Sequence, residues 1–224
     1  MSPLLRVLQD EVQIVALSFL GIVYVLKLLW IFRFPHRTER TFAAGSARAG
    51  VQSSLMNVLM PWQMESTRSD PVFYVQFALF HAGVLAAIAL SFIVPYAPGL
   101  LVGHGVRPVM LATLIAALMI GLGRLARRIR RPGLRLISTP DDYLSLVLTI
   151  VFFATAALLL AAPADWGEGP AIAFFALTAL FLVYVPFSKV CHYLYYPFTR
   201  IFLGHTLGHR GVVARRARVD AEGI

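Results

Sequence analysis

The chain has 224 residues, of which 58% are hydrophobic and only 14% charged, with a formal net charge of +9. A soluble domain of this size cannot bury so large an apolar fraction, and its charged share would be nearer a quarter. One cysteine, Cys191, excludes an intrachain disulfide and any cysteine-rich metal or iron–sulfur site. The basic excess is not a nucleic-acid signature, because the Lys and Arg residues flank the apolar runs, where membrane topology accounts for them.

Five runs are long and apolar enough to cross a hydrocarbon core of roughly 30 Å, which takes about 20 residues. The first covers residues 12–32. Its flanking acids, Asp10 and Glu11, and the basic cluster after it argue against a cleaved leader. The stretch 38–69 is the longest polar segment and contains Met60-Pro61-Trp62. It is expected on the inner membrane surface or against a partner. The second span covers 72–94, behind the start signal Asp70-Pro71. The third covers 106–126, with Pro108 in its first turn. The fourth covers 143–162, with Ser138, Thr139 and Asp141 as candidate caps. The fifth follows the Gly167-Glu168-Gly169-Pro170 turn and runs from 171 to about 192. Residues 206–224 read as a basic tail. The expected fold is therefore an all-α membrane protein, a five-helix bundle over residues 1–205.

Charge sets the expected orientation. Arg33, Arg37, Arg40, Arg48 and Arg68 lie between spans one and two. Arg124, Arg127, Arg128, Arg130, Arg131 and Arg135 lie between three and four. Lys189, Arg200, Arg210, Arg215, Arg216 and Arg218 follow span five. Only five crossings bring all three groups to one side, so the N-terminus is expected outside and the C-terminus in the cytoplasm.

Polar residues within a membrane are costly and often functional, which directs attention to the six histidines. His36, His205 and His209 fall in basic, solvated regions. His104 falls in an outer loop near Arg107. His81 lies inside span two, in Phe77-Ala78-Leu79-Phe80-His81-Ala82-Gly83. An imidazole there needs a partner for its nitrogens: either a neighbouring helix or a haem iron. Gly83 and the nearby alanines would let a flat macrocycle approach. His192 is the natural second ligand. At about 1.5 Å per residue, His81 stands roughly 14 Å above the inner end of span two. Span five reaches that level with His192 only if it begins outside the core or continues through Tyr193–Tyr196. Pro197 would end or kink such a helix. Haem propionates need cationic neighbours, and Lys189 and Arg124, with Arg127 and Arg128, lie near the required level. Lys27 either joins them or snorkels to the inner interface.

Three stretches carry a family resemblance: Leu79-Phe80-His81-Ala82-Gly83; Pro132 to Asp142 with its Ser-Thr-x-x-Asp ending; and Val185-Pro186-Phe187-Ser188-Lys189-Val190-Cys191-His192. Together with the span count, they make residues 10–205 resemble the membrane cytochrome b (gamma) subunit of respiratory nitrate reductases. The wider family includes the membrane subunits of heterodisulfide reductase and of the Dsr complex. The resemblance implies a subunit of a bacterial or archaeal cytoplasmic membrane that exchanges electrons with quinone. It passes them through haem b to an iron–sulfur partner on the cytoplasmic face, and has no substrate-reducing site of its own. His81 and His192 match the haem ligand pair nearer the cytoplasm. The outer pair is not matched, since Ser91 and Phe174 stand at those positions, which leaves an expectation of one haem. By the same resemblance, His104 and Arg107 become candidates for a quinone site. Two other readings stay open: a non-redox membrane anchor, and a haem b subunit exchanging electrons with a periplasmic multihaem cytochrome. A transporter fits poorly, because the spans hold few ionisable residues.

Overall fold

A computed structural model describes residues 1–33, 41–60, 65–102 and 105–212. Among them the chain is helical throughout, without strands: α1 (Pro3–Gln9), α2 (Glu11–Arg33), α3 (Ala47–Leu59), α4 (Glu65–Ser69), α5 (Pro71–Tyr96), α6 (Val106–Arg130), α7 (Pro132–Leu136), α8 (Pro140–Ala161), α9 (Gly169–Tyr184) and α10 (His192–His209). Five segments have the length and apolar character of membrane spans: Pro3–Arg33, Pro71–Tyr96, Val106–Arg130, Pro140–Ala161 and Gly169–Phe187. The expected span count thus holds. The ends differ in places, and at span four a side-chain cap sets the start. Thr139 starts α8: its N–H donates to the Asp142 carboxylate at 2.8 Å, the reciprocal half of a capping box.

The chain divides into two compact units: Met1–Leu28 with Val72–Cys191, and Leu29–Pro71 with His192–Ile224. In the first, α6 packs along α8, α8 along α9, and α1 on α9. Its core is aromatic. Phe153, Phe174 and Phe175 are fully buried, and the Phe152 and Phe174 rings stack at 5.6 Å. Small residues bring the spans together, as expected where no hydrophobic force separates helix from lipid. A Cβ on Gly83 would lie 2.2 Å from the Ala117 Cβ, and one on Gly121 2.8 Å from Ile150. Gly83 is therefore taken up by α6, which corrects its expected role as the approach for a macrocycle.

The second unit is a close pairing of α3 and α10. A Cβ on Gly50 would lie 2.1 Å from the Gly204 carbonyl oxygen and 2.6 Å from the Gly208 Cα. Ser54 Oγ donates to the Arg200 carbonyl at 2.8 Å, and the Arg200 guanidinium donates to the Ser54 carbonyl at 2.9 Å. His209 Nε2 lies 2.7 Å from the Thr41 carbonyl. Part of the polar stretch 38–69 is thus a packed helix. The domain boundary expected at residue 205 falls inside α10, because Gly208 belongs to the contact. Pro197 lies inside α10 without ending it.

Candidate functional site

The buried stripe of α5 is Gly83, Ala87 and Leu90. At 100° per residue, His81 points some 160° away from Gly83. It shares a face with Phe77, Leu85, Ile88 and Phe92, of which Leu85 is 68% and Phe92 48% exposed. His81 is half-buried. Its ring lies 4.1 Å from that of Phe77 and 6.1 Å from that of Phe80. Nδ1 is 2.8 Å from the Phe77 carbonyl, one turn back. In a neutral imidazole, donation from Nδ1 places the lone pair on Nε2, the atom that a metal takes.

Phe80 links His81 to Arg124. The Arg124 guanidinium carbon lies 4.7 Å from the Phe80 ring centroid and 5.8 Å from that of Phe73. Arg127 approaches Phe73 at 5.4 Å. Among the described residues, Arg124 Nε and Nη2 are buried with no hydrogen-bond partner. Buried donors left without an acceptor are costly, and an anionic oxygen would complement them. The His81 imidazole and the Arg124 guanidinium thus both lie beside the Phe80 ring.

The other candidates have defined partners. Lys189 does not stand open for a propionate: its ammonium lies 2.7 Å from the Asp142 carboxylate and donates to Thr139 Oγ1 at 2.9 Å. Arg107 caps the last turn of α8, its Nε donating to the Leu160 carbonyl at 2.9 Å. Ser91 bonds back to the Ile88 carbonyl at 2.7 Å. Phe174 lies in the aromatic core, fully buried. His104, and His36 with it, lies outside the described residues.

The fifth span departs most from expectation. Rather than running on to His192, α9 stops at Tyr184. Two 3₁₀ turns follow, Val185–Phe187 and Lys189–Cys191, and His192 opens α10 as an exposed residue with its ring 6.3 Å from that of Tyr193. The physical reason is Pro186, which lacks an N–H and clashes with a continuing helix, together with an extended Ser188. The break is then served by distant charges. Lys27 Nζ donates to the Pro186 carbonyl and lies 5.8 Å from the Phe187 ring centroid. The Lys189 N–H donates to Asp141 Oδ2 at 2.9 Å. Asp141 Oδ1 accepts the Tyr184 hydroxyl at 2.6 Å, and Ser145 Oγ lies 2.9 Å from that hydroxyl. Neither Lys27 nor Asp141 was legible in this role. The signal available was a charge inside span one and a carboxylate pair at the mouth of span four.

The five spans define a class, an all-helical multi-pass membrane protein in contact with the lipid bilayer. No protein-family model, curated protein or solved structure matches the chain.

Proposed function

We propose that the chain is a haem b membrane subunit of a respiratory oxidoreductase complex, in which His81 and His192 would hold one haem. The observation that carries the reading is the presence beside one ring, Phe80, of a mid-span imidazole and of the Arg124 guanidinium, whose Nε and Nη2 are buried without a hydrogen-bond partner among the described residues. Bound haem would supply one-electron transfer. The chain's own residues would do the rest. The Phe77 carbonyl fixes the His81 tautomer and ring plane. Arg124 offsets propionate charge, with Arg127 one turn further along α6. The apolar flank of α5 excludes water from the iron. Phe174 in the aromatic core and Ser91 bonded to its own helix support one haem rather than two.

In this reading the electrons pass between membrane quinone and an iron–sulfur protein on the cytoplasmic side, with the N-terminus outside and the C-terminus in the cytoplasm. Support comes from the motif resemblance and from the clustering of basic residues in the sequence after spans one, three and five. A non-redox anchor would need no haem.

The test is a reduced-minus-oxidised optical spectrum of the purified protein or complex, with haem quantified per chain, for wild type, His81→Ala and His192→Ala. About one low-spin b haem, lost in either variant, is expected. A haem-free intact complex refutes the assignment. Two haems per chain would overturn the reading of Ser91 and Phe174.

A further inference from the structure

Among the described residues, the pairing of α3 with α10 leaves one side of α10 exposed. Gly204 and Gly208 form the seam and are buried against α3. At 100° per residue, Phe202 and Leu203 point about 120–140° away from that seam. Tyr196, Leu203 and Leu207 recur at i, i+7 and i+11 as a stripe beside Phe202, and all four are exposed. Thr199 falls on the same face, but its hydroxyl donates back to the Tyr195 carbonyl at 3.1 Å, so its donor is satisfied within the helix. The charged and imidazole groups stand elsewhere. Arg200 is tied to the Ser54 carbonyl, and His209 to the Thr41 carbonyl.

Two observations bear on what covers this face. The first is its level. The Phe198 ring packs edge-on against Phe32, with centroids 5.6 Å apart. Phe32 is the next-to-last residue of the first membrane span, Pro3–Arg33. This part of α10 therefore lies where a span leaves the hydrocarbon, although the five apolar spans do not include α10 itself. The second is charge. Residues 41–60 and 192–212 contain Arg48, Arg200, Arg210 and three histidines, and no Asp or Glu. An aromatic and aliphatic face in a cationic setting suits a helix lying in the bilayer interface, where anionic headgroups attract the basic residues.

We propose that the α3–α10 pair docks on an anionic phospholipid surface. Tyr196, Phe202, Leu203 and Leu207 enter the headgroup layer, and the far side of α3 stays in water. This docking needs no haem.

The test uses the full-length chain in nanodiscs of phosphatidylcholine, alone or mixed in equal parts with phosphatidylglycerol. A nitroxide is attached at Phe202→Cys, at Leu207→Cys or, on the face of α3 opposite its seam, at Gln52→Cys. The native Cys191 is buried, and wild type treated with the label supplies the background. Collisions with oxygen, which concentrates in lipid, are compared with collisions with a water-soluble nickel chelate. Oxygen should dominate at positions 202 and 207, and the nickel chelate at 52. Phosphatidylglycerol should strengthen the contrast. The double variant Arg48→Gln, Arg210→Gln should weaken its effect, by roughly fivefold in docked population per charge, or about 1 kcal/mol each. Two reporters on α10 keep the result readable if one variant does not accumulate. Nickel access at 202 and 207 equal to that at 52 would overturn the proposal. So would shielding of 202 and 207 from both reagents, since the face would then belong to a protein partner or a second copy. Lipid contact that is the same in both mixtures and in the arginine variant would overturn the assignment to anionic lipid.

Discussion

Gly50→Ala isolates what holds α3 to α10. The added methyl carbon would stand 2.1 Å from the Gly204 carbonyl oxygen and 2.6 Å from the Gly208 Cα. An ordinary carbon–oxygen contact is well over 3 Å, so the helices must separate by about 1 Å. Both obstacles are backbone, and no side-chain rotation can relieve them. Separation would also stretch the bonds between Ser54 and Arg200 on the same seam. Overpacking of this kind typically costs about 1–3 kcal/mol, roughly a 5- to 150-fold loss in the paired population at 1.4 kcal/mol per tenfold. Gly21 is the internal control, because a Cβ there meets nothing within 4 Å. Gly21→Ala should be neutral or slightly stabilising, since alanine is the better helix former by about 1 kcal/mol. The assay is hydrogen exchange of the α3 amides in the membrane-embedded protein. Gly50→Ala should raise exchange along α3 and Gly21→Ala should not. Equal protection of α3 in wild type and Gly50→Ala would refute the packing argument.

Three further outcomes are expected. Lys27→Met keeps a similar apolar length but removes the donor to the Pro186 carbonyl. Thermal unfolding in detergent should show a loss of about 1–3 kcal/mol, the cost of stranding a buried acceptor. Phe174→Ala, emptying a fully buried site beside Phe152 and Phe175, should cost about 3–5 kcal/mol by the same measurement. Hydrogen bonds from Ser2 hold the Glu168 carboxyl below its ordinary value of 4.5. That contribution is fully present above pH 4.5 and lost as pH falls through the lowered folded value. Protection of the α1 amides should therefore be constant near neutrality and decline in acid, and Glu168→Gln should flatten the profile.

Much of this architecture was legible beforehand, for a plain reason. A bilayer demands about 20 apolar residues per crossing and strands no backbone polar group, so hydropathy alone yields five helices. His81 could be singled out because a mid-span imidazole is conspicuous in such a background. The Ser-Thr-x-x-Asp stretch before span four likewise announced a cap. What escaped was every feature that depends on two distant segments meeting. Gly204-x-x-x-Gly208 and Ser46-x-x-x-Gly50-x-x-x-Ser54 carry a small-residue spacing that signals close helix approach, yet neither motif says which helix it faces. Lys27 reads as a snorkelling cation until the Pro186 carbonyl is found within its reach.

The sequence by itself determined the class of the protein, its five crossings and the residue types available for chemistry, because these follow from local hydropathy and helix geometry. Only the tertiary structure decided that span five breaks before His192, that Lys27 and Asp141 serve the break, that Lys189 pairs with Asp142, and that Nε and Nη2 of Arg124 are buried without a hydrogen-bond partner among the described residues. Each of those is a matter of which long-range partner satisfies which polar group, and no periodicity along one strand of sequence encodes that choice.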